Sequence, residues 1–241
     1  MKVALQLYSI REYVEKDLFG ALEAVQKAGY DGIELAGEYN VTASDLKQKL
    51  FELGLEPMGA HISFERLENR LDEAVEYCRD LGVCSAVCPG ADLSDMEKIE
   101  KAVRVFERAS EKFKQYGIIF GYHNHHRDFK RIGNEYILDI LYEKMPKEQL
   151  TAEFDTYWIK KGGENPITIT KKYADRSLIL HAKDMHENGE EADVGCGCID
   201  FKTIVKQLPR LVWIVVEQEK FNLNPFDSIA ADCERMKKIT E

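Results

Sequence analysis

The chain has 241 residues, with 33 Lys and Arg against 43 Asp and Glu, and a formal net charge of -10. Because an acidic surface repels phosphate backbones, the composition argues against non-specific binding of nucleic acid. No apolar run approaches the ~20 residues that span a bilayer, and the amino terminus lacks the long apolar region of a secretory signal.

The predicted elements alternate between short apolar runs and amphipathic segments. Strands are predicted over 3–8, 32–36, 57–62, 83–88, 118–123, 150–154, 177–181 and 212–216. Helices are predicted over 18–28, 43–53, 67–81, 94–116, 135–144, 166–174, 201–207 and 225–238. Gly29, Gly54, Gly82 and Gly117 fall where helices should stop, and Ser94 with Glu97 has the spacing of a capping box.

Eight strands alternating with eight helices predict a single α/β domain over residues 1–241, a (β/α)8 TIM barrel. Chains of about 200–250 residues commonly form one such barrel. An open doubly wound sheet is the alternative, but it normally has a glycine-rich first turn, which this chain lacks. The six cysteines have no paired C-x-x-C spacing, so we expect reduced thiols and a cytoplasmic protein.

Polar side chains recur where the predicted strands end. Residues two apart on a strand share a face, and the carboxyl ends of barrel strands carry the active site. These positions are Tyr8, Glu34, His61, His123 and His125, Glu153 and Asp155, His181 and Lys183, and Glu217 and Glu219. Unpaired polar groups in a core would each cost a few kcal/mol. Their residue types indicate a divalent metal site with a polar ligand beside it.

Several motifs resemble those of one enzyme family. They are Gln6-Leu-Tyr-Ser-Ile-Arg11, Gly121-Tyr-His-Asn-His125, Phe154-Asp-Thr-Tyr-Trp158, His181-Ala-Lys-Asp184, Val194-Gly-Cys-Gly197 and Val216-Glu-Gln218. The chain resembles the sugar phosphate isomerase/epimerase family of xylose-isomerase-like barrels, which includes hydroxypyruvate isomerase, ketose 3-epimerases and inosose dehydratase. The motifs span nearly the whole chain in family order.

The resemblance implies one Mn²⁺, Co²⁺ or Mg²⁺ site, and we expect Mn²⁺, with Zn²⁺ as a further alternative. Carried over, Asp155, His181 and Glu217 are ligands. The chain departs from the epimerases on strand five, where those enzymes have a catalytic glutamate and this chain has Tyr-His-Asn-His-His. We assign the fourth ligand to His123, with His125 as the competing choice. Two carboxylates and two imidazoles suit borderline divalent ions better than magnesium.

The absence of the glutamate on strand five also affects the predicted mechanism. Glu217 is then the one obvious catalytic carboxylate, and a route with two carboxylate bases loses support. A histidine or Lys183 must then act as the partner acid or base, so we predict Glu217, Lys183 and His125 as catalytic. A bound ion would stabilise the enediolate that forms on proton abstraction. Predicted substrate contacts are Tyr8, Glu34, His61, Asn124 and Trp158, although a salt bridge inside the barrel explains Glu34 and His61 nearly as well.

The sequence therefore predicts a metal-dependent sugar isomerase or epimerase that abstracts a proton next to a carbonyl. Dehydration of a keto-sugar or ketoinositol is the alternative within the same mechanism, and a non-catalytic sugar-binding barrel is the alternative of another class. The expected partner is a small sugar or keto-sugar, without nucleic acid or membrane, and the chain could form a homo-oligomer. The superfamily also resembles endonuclease IV, a barrel nuclease with several metals, but the net charge of -10 and the shortage of further ligands argue against that activity.

Overall fold

A computed structural model describes residues 1–221 and 224–240 and contains a closed barrel of eight parallel strands. The barrel strands are Lys2–Gln6 (β1), Gly32–Leu35 (β2), Glu56–His61 (β3), Ser85–Cys88 (β4), Ile119–His123 (β5), Thr151–Asp155 (β8), Ser177–Ala182 (β9) and Trp213–Val216 (β12). They pair in chain order, and β12 closes the barrel against β1 through Lys2–Trp213 and Val3–Ile214. The predicted (β/α)8 fold is confirmed.

Two small antiparallel hairpins extend from the barrel. Arg131–Ile132 (β6) pairs with Glu135–Tyr136 (β7), and Asp184–Met185 (β10) pairs with Glu191–Ala192 (β11). The second hairpin follows directly on β9 and therefore lies at the carboxyl end of the barrel. Neither hairpin was predicted, because a strand of two residues is too short to show a period in the sequence.

Helices surround the barrel. They are Arg11–Val14 (α1), Leu18–Lys27 (α2), Ala43–Leu53 (α3), Phe64–Asn69 (α4), Leu71–Leu81 (α5), Met96–Lys114 (α6), Ile137–Lys144 (α7), Thr156–Lys161 (α8), Pro166–Lys172 (α9), Phe201–Lys206 (α10) and Pro225–Thr240 (α11). Among the residues described, no helix has both the length and the apolar character needed to cross a bilayer.

Local signals explain where several helices begin and end. Thr42 caps α3 by accepting a hydrogen bond from the backbone N–H of Asp45, and the left-handed Gly54 ends that helix as predicted. The predicted capping box of Ser94 and Glu97 is wrong, because Asp95 is the N-cap and accepts from the N–H of Lys98. Asp and Ser cap helices about equally well, so the sequence offered two neighbouring starts.

The structure also differs from the prediction in three other places. The helix predicted over 67–81 is two helices, since Arg70 has non-helical backbone angles between α4 and α5. The helix α8 was missed, because it begins immediately at the end of β8. The first strand ends at Gln6, whose side chain accepts from the N–H of Tyr8 and starts a 3-10 turn over Leu7–Ile10. Strict alternation of eight strands and eight helices is therefore too simple.

The barrel interior has two layers of different polarity. Its amino-terminal layer is an apolar cluster of Ala4, Met58, Ile179, Trp213 and Val215. Two residues further along the same strands, the inward side chains are Gln6, His181 and Glu217, all buried. Since side chains alternate along a strand, Ala4, Ile179 and Val215 in the apolar layer are each followed two positions later by a buried polar residue. The polar layer is where a functional site can form.

Candidate metal centre

Four predicted ligands converge at the carboxyl end of the barrel. His123 ends β5, Asp155 ends β8, His181 lies on β9 and Glu217 directly follows β12. All four are buried, and one candidate ligand atom of each lies within 4.8 Å of those of the others. Parallel strands that end at a common face bring these residues together although the outermost two are 94 positions apart in the chain.

The polar atoms of this cluster fit a divalent ion. Both ring nitrogens of His123 and Oδ2 of Asp155 are buried without a hydrogen-bond partner, and Nε2 of His123 lies 3.6 Å from Oδ2 of Asp155. Buried polar atoms normally find partners, so unpartnered donors and acceptors facing one another need an explanation. Ligands bound to one ion at about 2.0–2.2 Å have a similar mutual separation. Two imidazoles and two carboxylates suit zinc, manganese, cobalt or iron.

The protonation states of the ligands follow from their surroundings. Burial, together with the neighbouring His181 and His61, holds the pKa of His123 well below its usual range, so this imidazole is neutral. Burial raises the pKa of Asp155 to about 7 in the protein without an ion. Burial would also raise the pKa of Glu217, but Lys183 and His181 outweigh it and hold that pKa well below the usual range. A cation in the cluster would stabilise the ionised form of Asp155.

His181 connects this cluster to a second group of buried residues, Glu34, His61 and Glu153. Its Nδ1 lies 3.0 Å from Glu217, whereas its Nε2 lies 2.8 Å from Glu34 and 3.2 Å from Glu153. Nε2 of His61 is 2.8 Å from the same Glu153 oxygen and 3.3 Å from Glu34. The separations of 2.8 and 3.0 Å are direct hydrogen bonds between imidazole and carboxylate, and the two longer ones are ion-pair contacts.

The second group therefore supports the first. An imidazole that binds a metal through one nitrogen usually donates its other N–H to a carboxylate, which fixes the ring. If His181 held an ion, its Nε2 would be free to donate to Glu34, which Gln6 holds with a hydrogen bond of 2.8 Å. Glu153 contacts both imidazoles, with a hydrogen bond of 2.8 Å to His61 and a separation of 3.2 Å from His181.

Lys183 is fully buried behind Glu217. Its ammonium group donates to Glu217 Oε1 at 2.9 Å and contacts Glu219, and Glu191 lies 3.8 Å away. Burial would lower the pKa of Lys183, but the surrounding carboxylates raise it above its usual value. Its neighbour Asp184 does not pair with it. Glu191, which lies 3.8 Å from Lys183 on the β10–β11 hairpin, was not predicted, because no pattern in the sequence distinguishes it from other acidic residues.

Asp155 is held by two further contacts that prepare it as a ligand. Its Oδ1 accepts a hydrogen bond of 2.7 Å from the N–H of Trp158 and so caps α8. The buried amide of Asn124 bonds to the backbone of Asp155 in both directions, at 3.0 and 3.3 Å. Asn124 was predicted to contact substrate, but it does not line the cavity described next.

A cavity of about 720 Å³ opens over the cluster, within the range typical of small-molecule sites. Its walls include Tyr8, His61, His123, His125, Trp158 and Glu217. Three predicted substrate contacts, Tyr8, His61 and Trp158, thus face it, whereas Glu34 lies beneath it. Burial, with His123 as the next cause, lowers the pKa of His125 to about 3, so this imidazole is neutral near pH 7.

The cavity also includes residues that the sequence analysis did not select. Arg66 contacts Glu38, and Arg127 lies in the wall near Gly90 and His125. Arg127 directly follows the histidine-rich segment at the end of β5, and this position alone could have indicated that it lies near the site. Arg66 lies in the helix α4, whose start was predicted three residues too late.

Comparisons with known proteins agree with this architecture. Residues 22–239 match the family described as xylose isomerase-like TIM barrel. Inosose dehydratase of Lacticaseibacillus casei is 24% identical, over 86% of this chain and 84% of that protein. A sugar phosphate isomerase/epimerase of Parabacteroides distasonis superposes with a TM-score of 0.83 at 24% identity, covering 98% of this chain and 93% of that one.

A second structural neighbour contains a metal. The IOLI protein, whose crystal structure has a binding zinc atom, superposes with a TM-score of 0.72 at 19% identity, covering 100% of this chain and 96% of that one. At these identities the structural similarity concerns the fold. The resemblance predicted from the sequence motifs is confirmed.

Proposed function

Since the chain belongs to the xylose isomerase-like TIM barrel family, we propose that it is a metal-dependent enzyme acting on a small keto-sugar or keto-polyol. The proposed reaction begins with removal of a proton from the carbon next to the carbonyl. We propose isomerisation or epimerisation as the outcome, with the proton returned to the substrate. The observation that carries the proposal is the cluster of His123, Asp155, His181 and Glu217 at the floor of a cavity.

A divalent ion held by those four residues would supply Lewis-acid stabilisation of the negative charge that develops on the substrate oxygens. Manganese is the proposed ion, with cobalt, magnesium or zinc as alternatives. The zinc atom of the IOLI structure supports a metal in a barrel of this fold, and selects neither the metal nor its position in this chain. The unpartnered nitrogens of His123 and the unpartnered oxygen of Asp155 are the features of this chain that support it.

Two side chains that reach the cavity can carry the proton. Glu217 is ionised because Lys183 and His181 lower its pKa, and His125 is neutral. Each can accept a proton from a carbon and later return it, as general acid–base catalysis requires. Lys183 holds the charge of Glu217 at 2.9 Å and lies outside the cavity lining, so its proposed role is to position and stabilise that carboxylate.

Dehydration is the second candidate, because a specific observation supports it. The pair Glu217 and His125 is asymmetric, unlike two carboxylates on opposite sides of one carbon. An imidazole that has accepted a proton can deliver it to a departing hydroxyl group, which turns proton abstraction into elimination. The relative from Lacticaseibacillus casei is an inosose dehydratase. A sugar-binding barrel without activity is the third candidate.

We further propose the cytoplasm as the location, where the six cysteines, all unpaired in the structure, would stay reduced. The proposed partner is the small-molecule substrate. A homo-oligomer remains part of the proposal and would be measured by light scattering.

Exchange of carbon-bound hydrogen tests the proposed function. Purified protein with Mn²⁺ would be incubated in D2O with ketoses, ketose phosphates, ketoinositols and 3-keto-glycosides. We expect deuterium next to the carbonyl of at least one compound. A new conjugated-carbonyl absorbance would identify the dehydratase, and its absence with a rearranged sugar would identify the isomerase or epimerase.

The matched variants are Asp155→Asn and Asp200→Asn, because both aspartates cap a helix. Asp155→Asn should lower metal affinity and exchange by more than about 100-fold, since even outer-shell partners cost about 10–100-fold. Asp200→Asn should leave both unchanged. Metal binding with no exchange on any compound would favour the non-catalytic barrel, and full exchange in Asp155→Asn would contradict the proposed metal role.

A further inference from the structure

Arg127 is a cation in the cavity wall without an acidic partner. The other charged residues of the wall are paired: Arg66 contacts Glu38, and Glu217 and Glu219 contact Lys183. Within the described residues, the guanidinium of Arg127 has neither an ion pair nor a side-chain hydrogen bond. From this geometry we propose that the substrate carries a carboxylate or a phosphate that binds Arg127. The inference rests on the proposed function and names the substrate class.

Gly90 lets Arg127 and His125 approach the same point of the cavity wall. A Cβ at position 90 would lie 2.7 Å from Nη2 of Arg127 and 3.7 Å from Nδ1 of His125. The φ of Gly90 is +157°, a conformation that side-chain-bearing residues rarely adopt, so the turn after β4 excludes a side chain here. Without a side chain at this position, the guanidinium and the imidazole nitrogen lie side by side in the wall of one cavity.

His125 supplies the second observation. Its Nδ1 is buried and has no hydrogen-bond partner. In the tautomer with the proton on Nδ1, this nitrogen donates, so an anionic group in the cavity would accept from Arg127 and His125 together. That arrangement would leave the other ring nitrogen of His125 free for the proton of the substrate carbon. The anion would thus orient the same imidazole that the proposed reaction uses.

The chemistry of the two groups indicates an anion more than a neutral sugar. Guanidinium is a planar fork of donors that matches carboxylate and phosphate oxygens, and such charge-assisted hydrogen bonds are about twice as strong as neutral ones. The net charge of -10 means that the protein as a whole does not attract anions. Selection for an anion must therefore come from a local cation, and Arg127 is the unpaired cation of the described cavity wall.

Three compounds of one carbon skeleton distinguish the sources of the anion. Glycerol, glycerate and glycerol 3-phosphate would be titrated into the full-length, Mn²⁺-loaded protein by calorimetry. We expect one of the two anions to bind at least about tenfold more tightly than glycerol, as a single charge-assisted hydrogen bond can provide. Preference for glycerate assigns a sugar acid, and preference for glycerol 3-phosphate assigns a sugar phosphate.

Arg127→Gln is the decisive variant, and Arg104→Gln is its control. Arg104 is an exposed arginine on α6 outside the cavity, so its loss changes the net charge equally. Arg127→Gln should lose the advantage of the anion over glycerol, and Arg104→Gln should keep it. An anion that also ligates Mn²⁺ does so in both variants, so their difference isolates the guanidinium.

Equal affinity for all three compounds in the wild type would overturn the inference, as would an unchanged advantage in Arg127→Gln or an equal loss in Arg104→Gln. None of these measurements requires turnover. An anion bound through Arg127 in a protein that exchanges no hydrogen would refute the proposed activity alone, whereas exchange on neutral sugars without anion binding would refute this inference alone.

Discussion

At the scale of single residues, His181 links the proposed metal cluster to the group of Glu34, His61 and Glu153. Its contacts indicate which group binds the ion and which one supports it. One of its nitrogens faces Glu217 and the other faces Glu34. A neutral imidazole has one proton, so it can bind an ion through one nitrogen and donate through the other. We therefore propose one ion with a supporting carboxylate group, because two ions sharing His181 would require the ring to lose both protons.

Glu34→Gln tests this division. The amide keeps the size of the side chain but removes the negative charge that accepts the Nε2 proton of His181. We expect metal affinity to fall by about 10-fold or more, as for other outer-shell partners, while the protein still binds one ion per chain. Glu76→Gln is the control, because Glu76 is exposed on α5. Affinity would be measured by competition with a chelating dye and stoichiometry by elemental analysis.

Two results would contradict the division. A wild-type protein with two ions per chain, one of which is lost in Glu34→Gln, would make the second group a metal site. Unchanged affinity in Glu34→Gln would show that the carboxylate does not influence His181.

At the scale of elements, the carboxylate of Asp184 holds the segment after β9 in place through backbone hydrogen bonds. Asp184 accepts hydrogen bonds from the backbone N–H groups of Met185, Gly195, Gly197 and Ile199, at 2.8 to 3.2 Å. The β10–β11 hairpin and the loop after it are thereby fastened beside Lys183. A Cβ at Gly197 would lie 2.3 Å from Oδ1 of Asp184, so this approach requires glycine.

Asp184→Asn should loosen that segment. The amide nitrogen of asparagine cannot accept, so up to two buried N–H groups would lose their partner, at a cost of about 1–3 kcal/mol each. We expect a lower free energy of unfolding in urea, and faster hydrogen exchange at Gly195 and Gly197. Glu187→Gln, an exposed change in the same hairpin loop, should stay within about 0.5 kcal/mol of wild type. Equal stability of the two variants would refute the fastening role.

At the scale of the whole molecule, the period of the strands explains what the sequence could predict. Apolar Ile179 and polar His181 lie two positions apart on β9, as do Val215 and Glu217 at the end of β12. The ends of the strands and the types of candidate ligand could therefore be predicted from the sequence. The partner of each polar group could not. Glu34 and His181 are 147 positions apart, and their contact depends on the closed barrel. Arg127 was missed because an exposed arginine has no period to distinguish it.

The proposed metal site predicts that the stability of the folded barrel depends on the ion. An ion that binds only the folded chain stabilises it by about 2.7 kcal/mol when its free concentration is 100 times Kd. A chelator should therefore lower the midpoint of thermal unfolding of wild type, and Asp155→Asn should show little difference with or without it.

The difference in the midpoint of thermal unfolding between the ion-bound and the chelator-treated protein should increase with pH. Without an ion, burial raises the pKa of Asp155 to about 7. Burial would lower the pKa of His181, but Glu153 and Glu34 raise it well above its usual value. The folded metal-free chain thus holds protons that the unfolded chain releases above about pH 4 for Asp and about pH 6.5 for His. Its stability from these groups falls as pH rises, since the folded state binds more protons.

The ion-bound protein has already released those protons, because a metal ligand must be deprotonated. The difference in unfolding midpoint between Mn²⁺ and chelator should consequently grow from pH 5.5 to pH 8 at a fixed free ion concentration. Differential scanning fluorimetry at several pH values would measure it, with Asp155→Asn as the flat reference. A difference that stays constant or shrinks toward pH 8 would mean that Asp155 and His181 are not the groups from which the ion displaces protons.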